Sequence, residues 1–255
     1  GPGGRMLLAT GGDDGSVRVW DPATGDQIGA PMTGHLGAVW AVTAFNDPDR
    51  RTLLATGSVD GSVRLWDPAT GAQVRAPLTG HTVWVWAVTR LSGLGGRLLL
   101  ASGGADGSVR VWDPATGRQV GAPLAGHPGP VRAVVGFDGP GGRMLLAHGG
   151  SDGSVRLWDP ATGRQVGAPL AGHPGPVRAL TGFTGPGGWL LLASGGADGS
   201  VRVWDPATGD QVGARWDGHP DWVWAVTGFA GPGGRMLLAT GGDDGSVRVW
   251  DPATG

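Results

Sequence analysis

A histidine, a hydroxyl residue and an aspartate are the parts of a hydrolase triad, and this sequence carries such sets repeatedly. His81 goes with Ser102 and Asp106, and His173 with Ser194 and Asp198. In a triad the imidazole takes the hydroxyl proton while the carboxylate orients the ring. Two features oppose that chemistry. The set recurs at the same spacing as His35, Thr56, Asp60 and as His219, Thr240, Asp244, whereas an enzyme needs it once. No Gly-x-Ser-x-Gly elbow surrounds any of these hydroxyls. Composition closes other routes. The chain of 255 residues has no Cys, and its 19 basic and 21 acidic residues are all Arg and all Asp. There is therefore no thiolate nucleophile, disulfide framework or Cys-ligated zinc, and no lysine for a Schiff base. The repeated Gly-His histidines could bind metal, but each lies in a different copy of a repeated unit. No catalytic, cofactor-binding or metal-binding residue is assigned, and no cofactor is expected.

The elements that must position these residues follow from the repeat. Trp20-Asp21, Trp66-Asp67, Trp112-Asp113, Trp158-Asp159, Trp204-Asp205 and Trp250-Asp251 are 46 residues apart, without insertion or deletion. Gly-His pairs ending at His35, His81, His127, His173 and His219 keep the same period. Trp216-Asp217 is out of phase and reads as coincidence. One unit divides into four Val/Leu-rich runs, 131–137, 144–149, 154–158 and 165–170, bounded by Gly, Pro and Asp. Asp152-Gly153 marks a tight turn between the second and third runs. Asp159-Pro160-Ala161-Thr162-Gly163 marks another, Pro presetting one φ and Gly supplying a positive one. With 53 Gly and 20 Pro a mostly helical chain is excluded, and 13 Trp with 40% apolar residues argue against disorder. Four short strands cannot bury both faces alone, but units stacked radially can.

The pattern of Gly-His, about 30 residues, then Asp-Gly-Ser-Val-Arg-Val/Leu-Trp-Asp closely resembles the WD40 family. The resemblance implies an all-β propeller of four-stranded antiparallel blades, one per 46-residue repeat, over 1–255 as a single domain. It also implies a buried hydrogen-bonded tetrad in each blade. These are His35, Thr56, Asp60, Trp66; His81, Ser102, Asp106, Trp112; His173, Ser194, Asp198, Trp204; and His219, Thr240, Asp244, Trp250. Indole gives to hydroxyl, hydroxyl to imidazole and imidazole to carboxylate, which engages the hydroxyl and spends every polar atom. In the remaining set, His127, His148, Asp152 and Trp158, an imidazole stands where the others have a hydroxyl. It is expected to fill the hydroxyl's role, and a pH-sensitive blade is a second possibility.

Residues 1–25 and 231–255 are identical, so the chain has six Trp-Asp sets but five Gly-His pairs. Thr10, Asp14 and Trp20 have no His ahead of them. The two half-repeats are placed at the closure point and should be interchangeable in the last blade. Six hairpins sharing one ring are preferred to five blades plus a spare half-repeat. An unpaired hairpin would invite strand exchange between chains, giving an oligomer through the duplicated ends. A piece of a longer array, or an engineered one, stays open.

Positions alike in every unit serve the blade, and positions that differ are free to be specific. Variation concentrates just after Gly-His, where it brings Trp40, Trp84, Trp86, Arg132, Arg178, Trp222 and Trp224. In the family these places ring the channel mouth on the top face, and Trp and Arg suit an interface. The competing explanation is packing of the first strand on its neighbour. Arg18, Arg64, Arg110, Arg156, Arg202 and Arg248, one per blade, read as a solvated or ion-paired face. A net charge of −2 lacks the footprint of a nucleic-acid binder. No apolar run reaches the length of a membrane span, and the first residues do not read as a secretory leader, so a cytoplasmic location is expected. The function these features imply is a non-catalytic scaffold that binds a protein or peptide on the top face. The alternative is a recently amplified or engineered array with a purely structural role.

Overall fold

In the computed structural model, residues 6–94, 97–139, 142–185 and 188–254 are described. They form six antiparallel sheets in chain order. The first holds β1 (Leu8–Gly11), β2 (Val17–Trp20) and β3 (Gln27–Met32). The second holds β4 (Val39–Asn46), β5 (Thr52–Ser58), β6 (Ser62–Trp66) and β7 (Leu78–Thr79). The third holds β8 (Val85–Leu94), β9 (Arg97–Gly104), β10 (Ser108–Asp113), β11 (Arg118–Gln119) and β12 (Leu124–Ala125). The fourth holds β13 (Val131–Asp138), β14 (Met144–Gly150), β15 (Ser154–Asp159) and β16 (Arg164–Ala171). The fifth holds β17 (Val177–Thr184), β18 (Leu190–Gly196), β19 (Ser200–Trp204) and β20 (Trp216–Asp217). The sixth holds β21 (Val223–Ala230), β22 (Met236–Gly242) and β23 (Val247–Trp250). The first sheet thus starts one strand late and the last stops one strand early.

Local chemistry sets these strands. The Asp-Gly turns supply the backbone that a tight reversal needs, as at Gly153 with φ +77°. β14 and β15 then pair from Leu146 opposite Trp158 to Gly149 opposite Val155. Each inner strand carries a register shift near its start, as between Val131 and Ala133. The outer strand is the weakest element. Four of its five copies contain a proline without an N–H (Arg215 replaces it in the last), and four contain a glycine at positive φ, such as Gly121 at +71°. It survives as one run in β3 and β16 and shrinks to pieces of two residues in β7, β11, β12 and β20.

The core lies between sheets. Val17 and Val19 of β2 pack with Val39, Leu54 and Trp66 of the second sheet, and Val63 and Leu65 with Val85, Leu100 and Trp112 of the third. The same exchange joins the third to the fourth, the fourth to the fifth and the fifth to the sixth. Close approach depends on one glycine in each of the first five sheets. A Cβ on Gly149 would lie 2.5 Å from Val177 Cγ1 of the next inner strand.

Six sheets, not five and a spare, is the arrangement adopted. Both copies of the 25-residue sequence are used at once, and they bury opposite faces. They are therefore not alternatives for one position, contrary to the expected interchangeability. Among the described residues no helix is long and apolar enough to cross a membrane.

Candidate functional site

The repeated His, hydroxyl, Asp and Trp side chains converge in four sheets. His35 Nδ1 lies 2.9 Å from Asp60 and Nε2 2.8 Å from Thr56 Oγ1, which accepts the Trp66 indole N–H at 2.8 Å. His81 reaches Asp106 at 3.0 Å and Ser102 at 2.8 Å, and Trp112 donates to Ser102 at 2.8 Å. His173 is held by Asp198 at 2.9 Å and Ser194 at 2.8 Å, with Trp204 donating to Ser194 at 2.8 Å. His219, Asp244, Thr240 and Trp250 repeat the pattern at 2.9–3.1 Å. The carboxylate only accepts, so Nδ1 carries the proton and Nε2 accepts from the hydroxyl. Burial pushes His35, His81 and His173 below the ordinary imidazole range and so keeps them neutral. Burial raises the Asp60 carboxyl, but hydrogen bonds from Ser62, His35 and Leu36 outweigh it and bring it to about 2.

These hydroxyls cannot serve as triad nucleophiles. Thr56, Ser102 and Ser194 are fully buried, and each accepts from Trp while it bonds His. Gly149-Gly150-Ser151-Asp152-Gly153 has the spacing of a nucleophile elbow. It lies in the turn between two antiparallel strands, β14 and β15, with no helix after it, so it lacks the elbow's strand-to-helix context.

The fourth sheet departs from the others. His127 Nδ1 holds Asp152 at 2.9 Å. His148 does not take over the hydroxyl's bonds, contrary to expectation. It stacks on Trp158 at 5.8 Å and meets His127 edge-on at 4.7 Å. Both His148 nitrogens, His127 Nε2 and Trp158 Nε1 are buried without a hydrogen-bond partner. The ring is too bulky and too flat to sit between imidazole and indole as an oxygen does. Burial, with the neighbouring His127 and Arg156, pushes His148 down to about 3.

Of the one-per-sheet arginines, Arg18, Arg64, Arg156 and Arg248 lie within 4.0 Å of Asp14, Asp60, Asp152 and Asp244, so the ion-paired reading holds for these four. Arg64, Arg110, Arg156 and Arg202 donate to Gln73, Gln119, Gln165 and Gln211 of the outer segment at 2.6–3.2 Å, tying it to the third strand. In the end sheets Arg18 turns instead to Asp14 at 2.6 Å and Arg248 to Asp244 at 2.8 Å. Trp216 is not incidental. It lies in β20, pairs with Val201 and stacks on Trp250 of the next sheet at 5.6 Å.

The variable Trp and Arg gather at the start of the inner strands. Trp40, Trp86, Arg132, Arg178 and Trp224, from five consecutive sheets, line one channel of about 310 Å³. Trp40 meets Trp86 edge-on at 4.0 Å and stacks near Trp84 at 6.3 Å. Trp222 meets Trp224 at 5.3 Å. Arg132 lies over Trp86 at 4.7 Å, and Arg178 over Trp222 at 3.7 Å and Trp224 at 4.3 Å, which are cation–π distances. Trp40, Trp84, Trp222 and Trp224 nonetheless keep 38–49% of their surface exposed. Arg132 Nε, Arg178 Nε and Trp86 Nε1 are buried without a partner. Ala105 and Asp243, each just before the Asp of its tight turn, meet the same rim, since the N–H of Ala105 bonds the Trp84 carbonyl and that of Asp243 the Trp222 carbonyl.

At the other end, the underside is less uniform than the repeated Pro-Ala-Thr-Gly suggests. Arg97 and Arg235 pair with Asp113 and Asp251 at 2.5 and 3.2 Å, and Arg143 pairs with Asp159. Trp189 takes the arginine's place in the fifth sheet and is exposed.

A family model described as WD domain, G-beta repeat matches residues 1–21, 27–67, 72–113, 118–159, 164–205 and 211–251. No curated protein matches the chain. Six matches at the period of the six sheets, all carrying the same Asp and Trp positions and five of them the His, mean that the chain belongs to the WD40 repeat family.

Proposed function

We propose that this chain is a non-catalytic scaffold that binds a protein or peptide at the channel rim formed by Trp40, Trp84, Trp86, Arg132, Arg178, Trp222 and Trp224. WD40 repeats generally mediate protein–protein interaction scaffolding. The observation that carries the reading is the rim itself. Large aromatic surfaces stay exposed there, beside the guanidinium groups of Arg132 and Arg178 held over indole rings. Stacked, pre-ordered Trp offers contact area at little entropic cost, and Arg held over indole presents its N–H groups to an anion. The favoured ligand is therefore an acidic peptide with an aromatic anchor.

A displayed peptide library rich in Asp, Glu, Phe and Trp tests this. Trp86→Ala with Trp224→Ala should abolish capture of enriched peptides while the melting temperature changes little, because a truncated anchor costs on the order of 2 kcal/mol or more. Arg132→Ala with Arg178→Ala should weaken capture more at low salt than at high. Unfolding of the double Trp variant would identify those side chains as core. A library that enriches nothing would favour a purely structural array, the role to which the identical 25-residue ends also point.

A further inference from the structure

The underside carries one break in its pattern of charge. In the third, fourth and sixth sheets an arginine at the start of the second strand pairs with the aspartate that opens Asp-Pro-Ala-Thr-Gly. These pairs are Arg97 with Asp113, Arg143 with Asp159 and Arg235 with Asp251, and in the second sheet Arg51 turns to Asp47. Trp189 holds that position in the fifth sheet, since Leu192 lies opposite Trp204 as Leu146 lies opposite Trp158. Its indole is 73% exposed, more than any other tryptophan described. Asp205 accepts the Ala207 N–H at 2.8 Å but has no ion pair among the described residues. A second position changes sign around the same face. The residue after the turn's glycine is Arg118 in the third sheet, Arg164 in the fourth and Asp210 in the fifth. All three are exposed, and none is ion-paired among the described residues. Between the third and fourth sheets this face also holds a cavity of about 250 Å³, lined by Arg97, Leu99, Val120, Pro160 and Ala161.

We propose that the underside is a contact between two copies of this chain, stacked back to back about a two-fold axis. The axis runs across the face along the boundary of the fourth and fifth sheets. Arg97 borders the turn of the next sheet, and Trp189 is its counterpart two repeats on. Cavity and indole therefore lie at the same distance from the channel, one sheet away from the axis on either side. Rotation about that axis lays the indole of each copy into the cavity of the other, over Leu99 and Val120 and against the Arg97 guanidinium. Cation–π attraction there adds to apolar burial. The same rotation sets Asp210 opposite the partner's Arg164, and Arg164 opposite the partner's Asp210, so two exposed charges of opposite sign are each answered. The contact is self-complementary and closes at two copies. A foreign protein would have to supply an indole, a cavity and charges in this order, all of which the chain itself carries. Both channel rims face outward from such a pair.

Sedimentation equilibrium of the full chain over a range of concentrations tests the proposal, with circular dichroism as the check on folding. The unaltered chain should show a monomer–dimer equilibrium. Trp189→Arg restores the residue that the other repeats use, and it should raise the dissociation constant about tenfold or more, because it removes the aromatic anchor from both sides. Trp189→Ser should do the same, which separates loss of the indole from the added charge. Asp210→Arg and Arg164→Asp should each weaken the dimer severalfold, more at low salt than at high. Combining them reverses both pairs and should restore the dimer. A chain that stays monomeric at its highest soluble concentration would overturn the proposal. So would a dimer indifferent to both Trp189 variants, which would place the contact on another surface. A combined charge reversal no tighter than either single change would overturn it as well.

Discussion

At the scale of single residues, the difference between Ser102 and His148 decides whether a buried polar set is completed or broken. An oxygen at Ser102 is small enough to lie 2.8 Å from both an indole and an imidazole nitrogen. An imidazole at His148 leaves four buried nitrogens in that sheet without partners, and each such group costs roughly 1–3 kcal/mol. His148→Ser should therefore stabilise the protein by about 1 kcal/mol or more. It should also change the response to acid. Because His148 is held near 3 against an ordinary 6.5, it is neutral in the folded chain and binds a proton more readily once unfolded. Its effect on stability is constant above 6.5 and grows more unfavourable as pH falls from 6.5 toward 3, by at most about 1.4 kcal/mol per pH unit. Urea midpoints at pH 7 and pH 5 should differ less in His148→Ser than in the parent. Some acid sensitivity should remain, since His35, His81 and His173 are lowered in the same direction. An unchanged midpoint difference would mean that the ring is hydrated and already titrates freely.

At the scale of elements, what varies is the distance between neighbouring sheets, and glycine sets it. The added Cβ at Gly57, Gly149 and Gly195 would meet Val85, Val177 and Val223 of the following inner strand at 2.5–2.6 Å, while the same position in the last sheet, Gly241, has only Ala225 at 3.9 Å. Valine is stiff about χ1 and cannot swing aside. Gly149→Ala should cost about 1–3 kcal/mol by overpacking, whereas Gly241→Ala should stay within about 0.5 kcal/mol of the parent. Equal losses in chemical denaturation would mean that the last sheet is covered in solution as the inner ones are. Most of this level was legible in the residues. Val/Leu-rich runs and Asp-Gly turns located the inner three strands, and the period gave the number of sheets. The outer strand was less legible, because the glycine and proline that bend it leave a ladder whose length depends on the neighbouring sheet. Trp216 was misjudged because its partner, Trp250, belongs to the next unit, and a motif read within one unit does not reveal contacts between units. The positions of the rim Trp and Arg could be read from variation among near-identical copies, but their mutual stacking needed five strands in three dimensions.

At the scale of the whole molecule, a chain of repeats must decide where its ends go, and identical ends take different environments. Residues 1–25 contribute Val17 and Val19 to the second sheet, where they cover Leu54 and Trp66, both almost wholly buried. Residues 231–255 contribute Leu238 and Trp250 to the fifth, from the other side. Identical sequence made the two copies look interchangeable, but the neighbour of each copy, which no single repeat encodes, makes them distinct. Deleting residues 1–25 therefore uncovers an internal face and does not discard a spare. Val39, Leu54 and Trp66 would meet water, each at roughly 1.5–3 kcal/mol of lost burial, a sum comparable to the whole stability of an ordinary domain. β3 would remain attached with no β2 to pair with. The expected outcome is a large fall in melting temperature, or association of the exposed second-sheet face with other chains, seen as a rise in mass by light scattering. A truncated chain that stays monomeric and melts within a few degrees of the parent would mean that five sheets close without the first. In that case the uncovered face must be met by the sixth sheet, through Val247 and Val249, whose exposure in the full chain would then fall on truncation and could be followed by hydrogen exchange along β23.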